Sequence, residues 1–188
     1  MCSKGTFNPT QVEQLLKPIN PKRVLSLQGH SHVSQQDITA HLIRMFGFGN
    51  FDIEVISIEL VFESERFDTK TGNATGRWDV AYRGLVRITA RNEHGENVCH
   101  YENGSIGEAQ NQTRGGGHDL AYKSAISLSI KRAAIAFGDQ FGLSLYNKGQ
   151  LAALVKATLV GWDVPVADVQ EDIDQQVALG NDEIERDA

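Results

Sequence analysis

Cysteine is scarce: the 188-residue chain has two, Cys2 and Cys99. Only two thiols, one of them beside the initiator, argue against a disulfide framework and against a cysteine-based zinc site. No stretch approaches the ~18 consecutive apolar residues that a membrane-spanning helix needs. The opening MCSKGTFNPT has no apolar run of the kind that a secretory signal requires. These absences predict a soluble, intracellular protein. Catalytic signatures are missing too. There is no nucleophile elbow, no H-E-x-x-H and no pair of catalytic carboxylates. Asp68 and Asp79 flank a turn, as in almost any hairpin, and the six histidines, among them His30 and His32 in GHSH, have no carboxylate or cysteine at metal-ligand spacing. Neither a cofactor, a metal nor an enzymatic activity is expected.

Hydrophobic residues make up 40% of the chain and charged residues 22%, enough apolar surface for one packed domain with a modest extension. Net charge is −6, but it is unevenly spread. Residues 163–188 carry nine acids against one base, Arg186, while residues 1–162 have a balance of +2. A mildly basic body with an acidic tail is compatible with a polyanionic partner, because phosphate contacts depend on local clusters rather than on net charge. Such charge runs are also common on purely solvated faces.

Local patterns give the element order. Asn8-Pro9 supplies an N-cap and an N1 proline for a short helix with Val12, Leu15 and Leu16 on its apolar side, stopped at Pro18. Residues 18–27, with two prolines, read as extended. Ser34 and Asp37 have capping-box spacing before a helix to about Phe46, whose buried stripe is Ile38, Leu42, Met45 and Phe46. From Asp52 the run DIEVISIELVF reads as a strand, and a turn at Thr71-Gly72-Asn73 leads to a second over residues 77–91. There Trp78, Val80, Tyr82, Val86 and Ile88 alternate with Arg77, Asp79, Arg83, Arg87 and Arg91. Period-two alternation means one face on a core and one in solvent or on a ligand. Asn92-Glu93-His94-Gly95 is a hairpin turn into a third strand over 97–106. QNQTRGGGH (110–118) reads as a glycine-rich loop, and residues 119–141 as the longest helix, with Ile126, Ile130, Ala133, Ala134, Phe137 and Phe141 at helical spacing. Residues 151–160 could add an amphipathic turn or two before the tail. The predicted fold is α+β: a three-stranded antiparallel β-meander packed against a long helix (β-β-β-α), with short N-terminal helices and an acidic C-terminal tail. The expected divisions are 1–30, a core over 31–147, and 148–188.

Two features carry possible chemistry. Gly115–Gly117 precede the long helix, where exposed N–H groups favour an anion; a flexible connection is the plainer reading. This is no Walker A loop, because Lys123-Ser124 lie a turn or more inside the helix. The second feature is the arginine stripe. Like charges on one strand face repel unless a neighbour or a ligand neutralises them. Glu102 or the acids of the first strand could do so; the alternative is a surface that tracks phosphates. If the long helix packs beside that face, Lys123, Lys131 and Arg132 extend it into a groove for a single-stranded backbone. The candidate contacts are thus Lys123, Lys131, Arg132, Arg83, Arg87, Arg77 and Arg114. Tyr82, Tyr101 and Tyr122 could stack on bases or fill a core edge.

The segment AYKSAISLSIKRAAIAFGDQFGLSLY (121–146) resembles the last core helix of the Rad52/Rad22 family of single-strand annealing proteins, with Lys131-Arg132-Ala133 and Phe137 to Gly142 standing at its KRA and FG-x-x-x-G steps. HLIRMFGFGNFDIEV (41–55) resembles the family's helix ending in MFG, its aromatic-glycine turn and its first strand. The resemblance covers about residues 20–146 in order. It implies a β-β-β-α core that assembles into rings or related multimers, binds single-stranded DNA in a basic groove with bases outward, and anneals complementary strands without nucleotide hydrolysis, in homologous recombination and double-strand break repair. By position it makes Lys131 and Arg132 the inner-groove phosphate contacts and places Lys123 where relatives are also basic. Gln36-Asp37 stand where eukaryotic relatives carry an arginine, and Ile135 replaces a further base, so groove charge is lower here. Without the long partner-binding C-terminal region of those relatives, the chain is expected to be a small annealing core from a bacterial or phage-infected cytoplasm. A single-strand-binding protein or an exonuclease is a further candidate partner. The rival expectations are a ring-forming module that recruits recombination partners without annealing DNA, and a nuclease.

Overall fold

The computed structural model describes residues 5–27 and 29–158; the acidic tail and Cys2 lie outside the described residues. Helix α1 spans Pro9–Leu15 and starts at the predicted Asn8 N-cap, which the structure completes as a reciprocal capping box: the Asn8 side chain accepts from the Gln11 N–H while Gln11 Oε1 accepts from the Asn8 N–H. After α1 the chain departs from the extended reading. A single 3₁₀ turn at Pro21–Arg23 leads into strand β1 (Leu25–Leu27), which pairs antiparallel with β2 (His30–His32) around Gly29, whose φ of 81° only glycine adopts freely. Helix α2 spans Gln35–Phe46, starts at the predicted Ser34 cap and ends at Gly47, whose φ is 87°.

Three long strands follow: β3 (Phe51–Phe67), β4 (Ala74–Arg91) and β5 (Asn97–Gln112), in sheet order β3-β4-β5, all antiparallel. This is the predicted meander, with β3 and β5 as its edges. The third strand runs six residues beyond the predicted end at 106, because Gly104 and Gly107 sit inside the ladder instead of turning it. The glycine-rich loop also resolves differently. Thr113 caps helix α3 (Arg114–Ala134), and its side chain accepts from the Gly116 N–H, so Gly115–Gly117 form the first helical turn. The helix stops short of 141, giving way to single 3₁₀ turns at Ile135–Phe137 and Asp139–Phe141, because Gly138 (φ 104°) and Gly142 (φ 93°) break it. Residues 151–158 form no helix.

α3 lies across the even-numbered face of β4 and the matching face of β5. A stripe of small residues (Gly117, Ala121, Ala125, Ser129) lets it approach closely. At Gly107 a Cβ would stand 2.2 Å from Ala125 N and 2.5 Å from Ala121 O, so helix and strand touch backbone to backbone. The Ser129 hydroxyl reaches the Gly84 carbonyl at 3.0 Å. Beyond this stripe the core widens. Val86 and Ile88 of β4, Ile38, Leu42 and Phe46 of α2, and Ile130, Ala133, Phe137 and Phe141 form one buried cluster. Phe46, Phe137 and Phe141 contact one another with centroids 5.3–6.5 Å apart, an aromatic knot that joins α2 to the end of α3. Arg23 fastens the N-terminal segment to it, forking onto Asp37 (2.8 Å) and donating to Gln140 (3.2 Å).

Candidate nucleic-acid interface

Alternation along β4 fixes where its arginines can act. With Val80, Val86 and Ile88 buried beneath α3, Arg77, Arg83, Arg87 and Arg91 necessarily occupy the opposite face of the sheet. There the register supplies acids. Glu54 of β3 and Glu102 of β5 both pair with Arg87, whose Nε donates to Glu102 at 2.7 Å and whose Nη1 lies 3.6 Å from Glu54. Arg83 bonds Glu59 at 2.5 Å, and Arg91 bonds Asp52. The hydrogen bonds to Arg91 and Arg87 move the partners oppositely: the Asp52 carboxyl is held below the usual carboxylate range, and the Arg87 guanidinium is pushed up. Arg77 has no carboxylate at ion-pair distance among the described residues, and Asp79 beside it is taken by Arg66 at 2.7 Å. The outer stripe is therefore largely neutralised within the sheet.

Arg114 and Lys123 lie on the other side, at the start and near the middle of α3. Arg114 donates to Glu63 at 2.6 Å and sits 5.0 Å over the Trp78 ring. His118 Nε2 approaches the same Glu63 at 3.3 Å, while its Nδ1 meets the Tyr82 hydroxyl at 2.9 Å. Hydrogen bonding from Arg114 holds the Glu63 carboxyl low. Lys123 is exposed and paired one turn back with Asp119 at 2.7 Å. Tyr82 and Tyr122 stack edge-on against each other here, whereas Tyr101 is packed on Phe137 as a core edge.

Lys131 and Arg132 have a different setting. They line a cleft of about 610 Å³ between the C-terminal half of α3, the β1–β2 hairpin and residues 141–149. Its remaining polar lining is His30, Ser31, His32, Ser105, Tyr146 and Lys148, and no aspartate or glutamate is among the described residues that form it. Lys131 is half-buried, and burial pushes its ammonium below the ordinary lysine value. Neither Lys131 nor Arg132 has a carboxylate at ion-pair distance among the described residues. A concave, acid-free surface with adjacent cations can hold a polyanion by charge, and the serine and tyrosine hydroxyls and histidine nitrogens add hydrogen-bond donors.

The single groove expected to unite strand arginines with helix cations is thus split into three places. Lys131 and Arg132 share the cleft; Arg83 and Arg87 are ion-paired behind the sheet; Arg114 and Lys123 are ion-paired at the start and near the middle of the helix. The second wall of the cleft was not foreseen. The sequence pattern raises His30 and His32 only as metal ligands and gives Lys148 no role. Among the described residues no cluster of three or more histidine, cysteine, aspartate or glutamate side chains could hold a metal ion, and no helix is long and apolar enough to cross a membrane.

Comparison with known proteins bears on what the cleft holds. The model of the Rad52/22 family of double-strand break repair proteins matches residues 8–160. The DNA repair and recombination protein RAD52 of Eremothecium gossypii is 29% identical over 114 residues, covering 60% of this chain and 23% of that protein. The matched part is thus about a quarter of the relative's length.

Proposed function

Since the chain belongs to the Rad52/22 family of double-strand break repair proteins, we propose that it binds single-stranded DNA in the Lys131–Arg132 cleft and anneals complementary strands during recombination and repair, without nucleotide hydrolysis. The observation that carries this reading is the contrast in charge pairing. The strand arginines spend their charge on Glu54, Glu59, Glu102 and Asp52, while Lys131 and Arg132 keep theirs in a cleft with no acid among the described residues that line it. The same two residues stand at the family's KRA step.

The physics of annealing follows from that arrangement. Two strands repel along their phosphates, and a free strand must order its bases before they can pair. Lys131 and Arg132 neutralise backbone charge and release counterions, worth ~0.7 in the salt slope per phosphate on a single strand. Half-burial of Lys131 raises the gain on meeting a phosphate, because its ammonium is already partly stripped of water. Held by the backbone, a strand presents its bases outward to a complement.

Two cations per chain make a weak site, so avidity through a multimer, a ring or a filament, completes the reading. Support for self-association comes from β3. It is an edge strand, and Leu60, Val61 and Phe62 are 48%, 50% and 43% exposed in succession, an unusual amount of apolar surface for a solvated edge. In this reading the protein works in the cytoplasm of a bacterial or phage-infected cell, where a single-strand-binding protein or an exonuclease supplies the strands. The test is annealing of labelled complementary oligonucleotides without ATP or metal, with light scattering on the same sample. Accelerated annealing by a multimer supports the proposal. Multimers that do not accelerate annealing favour a recruitment module, and magnesium-dependent cleavage would indicate a nuclease.

A further inference from the structure

We propose that, when no DNA is bound, the Lys131–Arg132 cleft is occupied by the chain's own acidic stretch, residues 163–188, which competes in cis with the nucleic acid. The inference rests on the reading of the cleft as the DNA site and adds a regulator to it. Three observations carry it. The first is charge complementarity: the cleft offers Lys131 and Arg132, neither with a carboxylate at ion-pair distance among the described residues and with no described acid in its lining, and the stretch carries nine acids against one base. Carboxylates on an extended chain reproduce the repeating negative charge that a phosphate backbone presents.

The second is how the chain leaves the core. It borders the cleft at Lys148 and Gly149 and is then fastened beside it: the backbone N–H groups of Leu154 and Val155 both donate to Asp139 Oδ2, at 3.0 and 3.2 Å, and Ala153 and Ala157 are buried. Asp139 is itself 1% exposed, so this is an internal anchor and not a surface contact. The third is reach. Asp163 lies fifteen positions after Lys148, so the first acid of the stretch stands no more than about 50 Å from the cleft, and the stretch itself can extend over more than that distance. Attachment to the same chain turns weak ionic contacts into an intramolecular equilibrium with an effective concentration on the order of millimolar. Occupancy of about nine-tenths would weaken the apparent affinity for DNA about tenfold, since only the open fraction binds.

The experiment uses the full chain and a full-length variant carrying Asp168→Asn, Glu171→Gln, Asp172→Asn and Asp174→Asn. Affinity for an oligothymidylate of about 30 nucleotides is measured by fluorescence anisotropy at low salt, and zero-length carbodiimide cross-links from the acidic stretch are mapped in the wild type. The expected result is binding about tenfold tighter in the variant, with wild-type cross-links concentrated on Lys131 and Lys148 and suppressed by the oligonucleotide. Cross-links spread evenly over Lys22, Lys70 and Lys123 overturn the proposal, even where the variant binds more tightly, since long-range repulsion alone would do that. Unchanged affinity with scattered cross-links also overturns it and leaves the DNA reading intact. Concentrated cross-links in a protein that binds no oligonucleotide uphold the docking and defeat the DNA reading instead.

Discussion

Replacing Gly107 with alanine tests the packing that positions the whole interface. The new Cβ would lie 2.2 Å from Ala125 N, 2.5 Å from Ala121 O and 2.7 Å from Ser124 C, whereas ordinary contact begins near 3.4 Å. All three obstacles are helix backbone, so no rotamer change relieves them, and α3 must move off β5 by roughly 1 Å. The helix cannot rock away freely, because it also rests on β4, where Ser129 holds the Gly84 carbonyl and Ala121 and Ala125 are fully buried. Overpacking of this kind costs about 1–3 kcal/mol, and a clash with backbone on both sides belongs at or above the upper end. With a urea m-value on the order of 1–3 kcal/mol/M, the unfolding midpoint should fall by about 1 M or more. Gly115→Ala is the control. Nothing lies within 4 Å of its Cβ and it sits in the same helix, so it should be neutral or stabilising by up to ~1 kcal/mol. Both are read by urea denaturation followed by circular dichroism at one protein concentration. Equal midpoints for the two variants would refute the close approach of α3 to β5.

The remaining predictions concern the buried polar groups. Burial, aided by the nearby Arg23 guanidinium, lowers the His41 pKa to about 4, so its neutral form is the one the fold accepts. The unfolded chain binds a proton at ordinary histidine pKa, so stability is full above about pH 6.5 and falls as pH drops toward 4, by about 2–3 kcal/mol from this residue. The carboxylates Asp52, Glu63, Asp68 and Asp79, all held low, add to the acid loss in the same direction; His41→Leu should flatten the part between pH 6.5 and 4 in denaturation curves. Asp139→Ala removes the acceptor for Leu154 and Val155, which should cost about 1–3 kcal/mol and raise amide hydrogen exchange at residues 153–157 first; protection unchanged there would contradict the anchor.

How far the residues alone reveal this molecule depends on the range of the interaction. The caps at Asn8 and Ser34 and the alternation of β4 are local, and each appears where the pattern puts it. The glycines misled because their reason is tertiary. Gly107 reads as a break in a strand until α3 is known to lie on it, and Gly115–Gly117 read as a loop until the Thr113 cap and the approach of Gly117 to Val80 are seen. The arginine stripe was visible as a stripe, but its neutralisation depends on register. The irregular pairing between Val55 and Ser57 is one of the shifts that set which acids face which arginines, and single-strand patterns do not record it. The cleft was half legible. Lys131-Arg132 stood out, while its other wall is assembled from a hairpin of three-residue strands and single 3₁₀ turns too short to have a period.

The central claim is that DNA is held by the Lys131–Arg132 cleft and not by the ion-paired arginines behind the sheet. Its most direct test is the salt dependence of single-stranded DNA affinity for wild type, for Lys131→Ala with Arg132→Ala, and for Arg83→Ala with Arg87→Ala. The cleft variant should bind more weakly whatever the sequence, and its log–log slope should be shallower by about 1.4 if each cation holds one phosphate; the strand variant should keep the wild-type slope. A cleft variant indistinguishable from wild type, or a slope lost only in the strand variant, would contradict the account.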